Sequence, residues 1–398
     1  MVTDWAAKAR ALADELARSG DLVSPEWREA LCAVPRHELV PYYYVQNEDM
    51  TWTAYDGSEG DREAWLSTVY SNTTLVTALV DVPEDMGAGQ LAVSSSTMPG
   101  LMVRMLEALD VADGHRVLEI GTGTGYNAAL LSHRLGSENV YSVDVDGELV
   151  ELARKRLAAL GYAPTLVTRD GAEGLAEYAP YDRIIATCAV CEIPRTWIEQ
   201  TREDGLILVD LKPSVQAGNL VLLRRRGDTA TGRFLSKWAG FLPMRRAGEV
   251  PLSRRPRRDR EHARTRWTTA PLEPWLYPVP WLLAQCAMPP NLTSGRILSD
   301  TTGGPAGTFL AATDGSWCEV SAEVNANGTR RVLEGGPTSL WQAFEDAYEQ
   351  WRSAGEPGWD RLGLTVTADQ HVIWLDEPDG TLRWSLAAAR DAREPPNS

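Results

Sequence analysis

Long apolar runs are missing from the chain. No stretch of the 398 residues approaches the roughly 18 uninterrupted apolar residues that a membrane span requires. Positive charge is in deficit, with 39 Lys and Arg against 55 Asp and Glu and a formal net charge of −16. General nucleic-acid binders and membrane-surface binders carry a basic surplus, so this balance argues against both. Cysteine is scarce. Five thiols, an odd number in a long chain, do not make a disulfide scaffold and read as a reduced, cytoplasmic protein. The first twenty residues, MVTDWAAKARALADELARSG, are amphipathic and of mixed charge. They lack an apolar core segment, so no signal peptide is expected. The five histidines show neither triad nor metal-ligand spacing, and Cys188-Ala-Val-Cys191 has no second pair, so no metal is expected. No internal repeat of fixed period is present. Phenylalanine is also rare, four against fifteen tryptophans.

Nine of those tryptophans lie beyond residue 260, which sets the C-terminal part apart. A chain of this length exceeds one ordinary core, and two domains are expected. Residues 3–19 read as a helix, with Trp5, Ala9, Leu12 and Leu16 at helical spacing. SPEWREALCAV reads as a second, with Ser24 at the N-cap and Pro25 in the first turn. Residues 46–68 read as a loop or a short helix. From residue 98 a helix, the strand HRVLEI, the helix YNAALLSHRLG, the strand NVYSVDV and the helix GELVELARKRLAALG follow in turn. PTLVTRD, YDRIIATCAV, GLILVDL and NLVLLRRR read as further strands. Strands alternating with helices of this length predict βαβ units and a doubly wound parallel sheet. An Arg-rich stretch at 245–266 then breaks the pattern, as a solvated linker or a basic patch. SLWQAFEDAYEQWRSAG is amphipathic, and Asp379-Gly380 signals a hairpin. The expected division is an N-terminal segment 1–85, an α/β core 86–240, a linker 241–270 and an α+β domain 271–398. Most of the C-terminal Trp residues are expected in a core, with Trp275, Trp281 and Trp359 candidates for gripping a peptide.

VLEIGTGTGYNAALL carries the most chemistry. A strand runs into Gly121-Thr122-Gly123-Thr124-Gly125 and a helix follows at once, so the backbone can approach a ligand closely. A dinucleotide fingerprint would need Gly at 126, where Tyr126 stands. Glu119 puts a carboxylate beside the loop, which suits a cationic or zwitterionic ligand better than a pyrophosphate. Asp144, at the end of the next strand, can accept from a ribose diol, or it can cap the next helix. Asp170 ends the third strand and can accept from an adenine amino group. Three acidic residues at the ends of three successive strands, with E-x-G-x-G-x-G, point to S-adenosylmethionine rather than NAD. Upstream, Ser94, Ser95, Ser96 and Thr97 stand side by side before Met98-Pro99. They read as an N-cap, a linker, or donors for an anionic substrate.

VLEIGTGTGYNAALL, VYSVDVDGELVELARKRL, RDGAEGL and PYDRIIATCAVCEIP, taken in order, resemble the protein-L-isoaspartate O-methyltransferases. The resemblance runs from about residue 10 to about residue 226. It implies a class I S-adenosylmethionine-dependent methyltransferase core that moves a methyl group to a peptide carboxylate and leaves S-adenosylhomocysteine. It implies cofactor contacts at Glu119, Gly121, Thr122, Gly123, Tyr126, Asp144, Val145, Asp170, Gly171 and Thr187. In the family a Ser-x-Pro segment faces the substrate carboxylate. Here Thr97 takes the serine's place, with Ser94, Ser95 and Ser96 as extra hydroxyls, and the usual Gly-Gln-Thr-Ile run before it is absent. The Trp-rich C-terminal region resembles the extension of actinobacterial members associated with ribosomal-peptide gene clusters (lanthipeptides and graspetides). That likeness implies a modified precursor peptide as substrate, its Asp ester cyclising to aspartimide. The alternatives are general isoaspartyl repair and a non-catalytic precursor-binding protein.

Overall fold

A computed structural model describes residues 5–83, 89–214, 217–246, 260–290, 292–299 and 303–386. The N-terminal part opens with helices α1 (Trp5–Arg18), α2 (Pro25–Ala33) and α3 (Arg36–Leu39). Ala9, Leu12, Ala13 and Leu16 form the buried stripe of α1, as the helical spacing requires. Strands β1 (Tyr42–Gln46) and β2 (Trp52–Asp56) and helix α4 (Arg62–Val69) follow, then β3 (Leu75–Asp81) and β4 (Gln90–Ser96). These strands form a four-stranded sheet in the order β2-β1-β3-β4. Residues 46–68, read as a loop or a short helix, therefore hold most of a helix as well as a strand that the sequence reading did not offer. Asp61 caps α4 by accepting from the Glu63 and Ala64 amides. The hydroxyl run is a strand as well. Leu75 faces Ser96 and Val76 faces Ser95 across the ladder, and Thr77 Oγ1 donates to Ser94 Oγ at 3.2 Å.

The core begins with α5 (Pro99–Ala108). Its N-cap is Met98, whose side chain makes no cap, so no hydroxyl of the run serves that role. Then come β5 (Val117–Ile120), α6 (Tyr126–Leu135), β6 (Val140–Asp144), α7 (Gly147–Ala159), β7 (Thr165–Thr168), β8 (Tyr181–Val190), α8 (Arg195–Gln200), β9 (Thr201–Ser214), β10 (Ala217–Arg226) and β11 (Thr229–Phe234). β5 is paired in parallel with β6 on one side and β8 on the other. The chain thus winds outward to β7 and returns across β5. This reversal makes the crevice at the carboxyl ends of β5 and β8 where open α/β sheets bind ligands.

β12 (Arg264–Thr268) takes up the end of the Arg-rich stretch, and α9 (Pro278–Gln285), β13 (Thr293–Leu298), β14 (Pro305–Ala311), β15 (Trp317–Val324), β16 (Arg330–Gly335) and α10 (Leu340–Ser353) follow. β17 (Leu362–Val366), β18 (His371–Leu375) and β19 (Arg383–Leu386) end the described chain. β12 to β16 build a five-stranded antiparallel sheet. β17 to β19 do not join it. They extend the methyltransferase sheet to ten strands, in the order β19-β18-β17-β11-β10-β9-β8-β5-β6-β7. A division at residue 270 is therefore corrected, because residues 362–386 complete the core sheet.

Alternation along the strands sends their apolar residues to two faces. On β9, Ile207, Val209 and Leu211 join one buried cluster with Trp281, Trp341 and Phe344 of α9 and α10. Leu206 and Leu208 join another with α1, α2, α5 and α6. The C-terminal helices thus cover one face of the sheet. Trp281 and Trp359 are buried in this cluster, so both are packing residues rather than a peptide grip, while Trp275 is half-buried. Among the described residues no helix is long and apolar enough to cross a membrane, and no group of His, Cys, Asp or Glu could hold a metal ion.

Candidate active site

Strand β5 delivers Glu119 to the crevice with almost no exposure. A buried carboxylate needs donors. Asn127 Nδ2 donates to Oε1 at 2.8 Å and Ser142 Oγ to Oε2 at 2.7 Å. Ser142 Oγ also lies 2.7 Å from Thr122 Oγ1, which ties the loop to β6. Burial nevertheless dominates and pushes the Glu119 carboxyl up to about 7. The loop turns through Gly121 and Gly123, both at positive φ (99° and 50°). A side chain at Gly121 would bring its Cβ to 2.8 Å from Thr187 Oγ1. Thr187, on β8, donates to the Gly121 carbonyl at 2.8 Å.

Asp144, at the end of β6, accepts from the Gly123 amide at 3.0 Å and from the Asp146 amide at 3.1 Å. Its burial raises its pKa, against those two donors. The helix-capping role falls to Asp146, which accepts from the Glu148 and Leu149 amides of α7. Val145 between them is half-buried. Asp170 accepts from the Ala172 amide and starts a short 3-10 turn over Gly171–Glu173. The Gly171 carbonyl accepts from Trp197 Nε1 at 2.8 Å.

A narrow cleft is lined by Ser95, Ser96, Thr97, Glu119, Gly121, Thr122, Gly123, Tyr126 and Thr187. All nine are candidates named from the sequence. Ser94, Asp144, Val145, Asp170 and Gly171 are not among its walls. Ser94 is buried in the β3–β4 ladder, where it accepts from Thr77, and its hydroxyl lies 3.6 Å from where a Cβ on Gly123 would stand. Asp144 stands directly behind the loop.

Of three further walls, Thr124 was read only as part of the glycine loop, and Met102 and Asn127 went unnoticed in the sequence. Asn127 is the informative one. Its Oδ1 is buried without a partner while its amide holds Glu119. An orphaned acceptor beside a carboxylate fits a cationic donor such as the ammonium of an amino-acid moiety. Its position one residue into α6, directly after the glycine loop, could have signalled it.

A second unforeseen element is the segment that follows β11. Asp210 Oδ2, fully buried, lies 3.0 Å from Lys212 Nζ and accepts from the Phe241 amide at 2.9 Å. Lys212 donates to the Phe241 carbonyl at 2.9 Å. So anchored, the chain runs along the end of β8, with Ala189 N donating to Leu242 O and Met244 N to Ala189 O. Met244 Sδ then lies 3.1 Å from where a Cβ on Gly171 would stand, and Arg245 pairs with Asp146 at 3.5 Å. The start of the expected linker therefore spans the ends of β6, β7 and β8.

Cys188 packs against β5, its Sγ 3.8 Å from the Ile120 carbonyl, and burial pushes its thiol up, opposite to an activated thiol. His37, His133 and His371 are satisfied by Tyr70, Tyr162 and the Ile193 amide.

A sequence profile described as "Protein-L-isoaspartate(D-aspartate) O-methyltransferase (PCMT)" matches residues 57–244. A protein-L-isoaspartate O-methyltransferase of Methanosarcina mazei is 32% identical over 230 residues, which cover 56% of this chain and 79% of that one. One of Methanothermobacter thermautotrophicus is 34% identical over 238 residues, 59% of this chain and 94% of that one. A solved structure titled protein-L-isoaspartate O-methyltransferase superposes with a TM-score of 0.53 at 24% identity. It covers 93% of this chain and 100% of that one, so the shared fold extends well past the profile-matched region. The chain belongs to the protein-L-isoaspartate O-methyltransferase family and is an S-adenosylmethionine-dependent carboxyl O-methyltransferase.

Proposed function

We propose that Ser95, Ser96 and Thr97 receive the side-chain carboxylate of a peptide, and that the glycine loop, Glu119 and Asn127 hold the amino-acid end of the cofactor. One observation carries this reading: the hydroxyl strand and the glycine loop line the same cleft. S-adenosylmethionine, when bound, supplies an electrophilic methyl group. An Asp side chain has an ordinary pKa near 3.9, so the acceptor is already an anion at neutral pH and requires no general base. The protein must strip water from it and aim one oxygen in line with the methyl carbon. Hydroxyls suit this because they orient a carboxylate without the full quenching of a directly bound ion pair. Ser94 supports the strand rather than the acceptor, since it lies in the β3–β4 ladder against Thr77 and is not among the walls of the cleft.

The substrate proposed is the Asp of a ribosomally made, macrocyclised precursor peptide. In that case the next residue's backbone nitrogen attacks the new ester carbonyl, methanol leaves, and a five-membered aspartimide remains. Thr97 in the serine's place, the added hydroxyls and the Trp-rich C-terminal region support this reading. The names of the relatives favour a second one, methylation of isoaspartyl residues for repair. Incubation with S-adenosylmethionine and three peptides separates them: a short isoaspartyl peptide, the linear precursor encoded beside the gene, and the same precursor macrocyclised. The first reading expects a methyl gain and then a net loss of water on the macrocycle alone. Turnover of the isoaspartyl peptide with an unmodified macrocycle overturns it in favour of repair.

A further inference from the structure

Arg36 opens α3 and is fully buried. A buried guanidinium normally faces a carboxylate, because stripping water from an unpaired charge is costly. Among the described residues no carboxylate pairs with this one. Nη1 donates to the Val69 carbonyl at 2.7 Å and reaches the Ser71 carbonyl at 3.4 Å, while Nη2 reaches Ser96 Oγ and the Thr97 carbonyl, each at 3.2 Å, and the Thr73 and Ser96 carbonyls at 3.3 and 3.5 Å. Nε is buried without a partner. The guanidinium stands over the Tyr126 ring, 5.5 Å from its centroid. Ser96, Thr97 and Tyr126 all line the cleft. Burial pulls the group down to about 10, so it is still a cation at neutral pH.

Two consequences follow from elementary hydrogen bonding. A hydroxyl has one proton. Ser96 Oγ accepts from Arg36, so its own proton is left for another acceptor, and the charge behind it makes it a stronger donor. The uncompensated charge itself lies one wall away from the hydroxyl end of the cleft, in a setting of low dielectric.

We propose that Arg36 is a positioning residue that aims Ser96 and Thr97 into the cleft and supplies the buried positive charge by which the enzyme selects an anionic carboxylate as methyl acceptor. This rests on placing the acceptor at residues 95–97. The incoming carboxylate compensates Arg36. Methyl transfer neutralises that carboxylate, so the ester product loses the attraction and departs more readily than the substrate. The same charge disfavours the sulfonium of S-adenosylmethionine relative to neutral S-adenosylhomocysteine.

The test compares wild type, Arg36→Lys and Arg36→Met by titration with each of the two cofactor forms, with thermal unfolding in S-adenosylhomocysteine as a check on folding. The ratio of the S-adenosylmethionine Kd to the S-adenosylhomocysteine Kd is expected to fall about fivefold to tenfold in Arg36→Met and to stay near wild type in Arg36→Lys. An unchanged ratio in Arg36→Met overturns the proposal. An equal fall in both variants also overturns it, because packing rather than charge is then responsible. With a methyl-accepting peptide, KM is expected to rise about tenfold or more in Arg36→Met, with a smaller change in kcat. A wild type that methylates no peptide sinks the functional reading, while the cofactor ratio still decides whether Arg36 charges the cleft.

Discussion

Glu119 sets the pH behaviour of the site. Its carboxyl titrates near 7 in the folded protein, well above an ordinary glutamate. A raised carboxyl pKa means that the fold prefers the protonated form. This contribution to apo stability is therefore full below about 4.5 and is lost as the pH rises through 7. A cationic cofactor group needs the opposite, charged form. S-adenosylmethionine affinity is expected to weaken by up to ~10-fold per pH unit below 7, and Glu119→Gln should flatten that profile, both read by titration from pH 5.5 to 8.5. The hydroxyls separate in the same way. Thr97→Ala and Ser96→Ala are each expected to reduce methylation roughly ten- to a hundredfold, the usual worth of a hydrogen bond to a charged group. Ser94→Ala should stay within about threefold, because its partner is Thr77. Equal losses at all three positions would count against this assignment. Glu119 and the glycines were legible in the sequence because their roles come from adjacent residues. Arg36 and Asn127 were not, since what distinguishes them is a missing partner, and only the folded chain reveals that.

At the scale of elements, β4 was the main omission. Gln90–Ser96 holds one β-branched residue and three serines, so its pattern carries little strand signal, and its extended form comes from pairing with β3. Helices α5 to α7 and strands β5 to β9 were legible, as each carries its own period and its own stops, whereas the short helix α8 was not read. The segment Phe241–Met244 was not, because a buried ion pair thirty residues upstream fixes its course. Lys212→Met leaves Asp210 buried without its cation, and such losses cost about 3–5 kcal/mol. The expected result is a lower unfolding midpoint in urea together with weaker cofactor binding, as Met244 and Arg245 lose their anchor beside β7 and α7. Adding Asp210→Asn should restore part of the stability, because the buried charge goes with its partner. Full stability in Lys212→Met alone would refute this account of the anchor.

For the molecule as a whole, the sequence separated the Trp-rich region from the catalytic core, and its helix 340–353 and its final hairpin were legible. Membership of β17–β19 in the core sheet was not, since pairing between Ala230 and Val366 leaves no local trace in either strand. A chain ended at Arg246 would lose α9, α10 and the eight strands β12 to β19, and would expose the apolar face that carries Val209 and Val221. It is expected to aggregate or to melt without a cooperative transition by calorimetry. A cooperative melt with intact cofactor binding would show instead that the core folds alone. The same pairing imposes an order of events during synthesis. A ribosome adds about 5–20 residues each second, so β11 waits on the order of ten seconds for β17 to emerge. Throughout that interval the growing polypeptide carries a bare strand edge, the kind that invites pairing with another nascent chain. The margin farthest from the methyl-transfer cleft is thus the last part of the described ten-stranded sheet to be made.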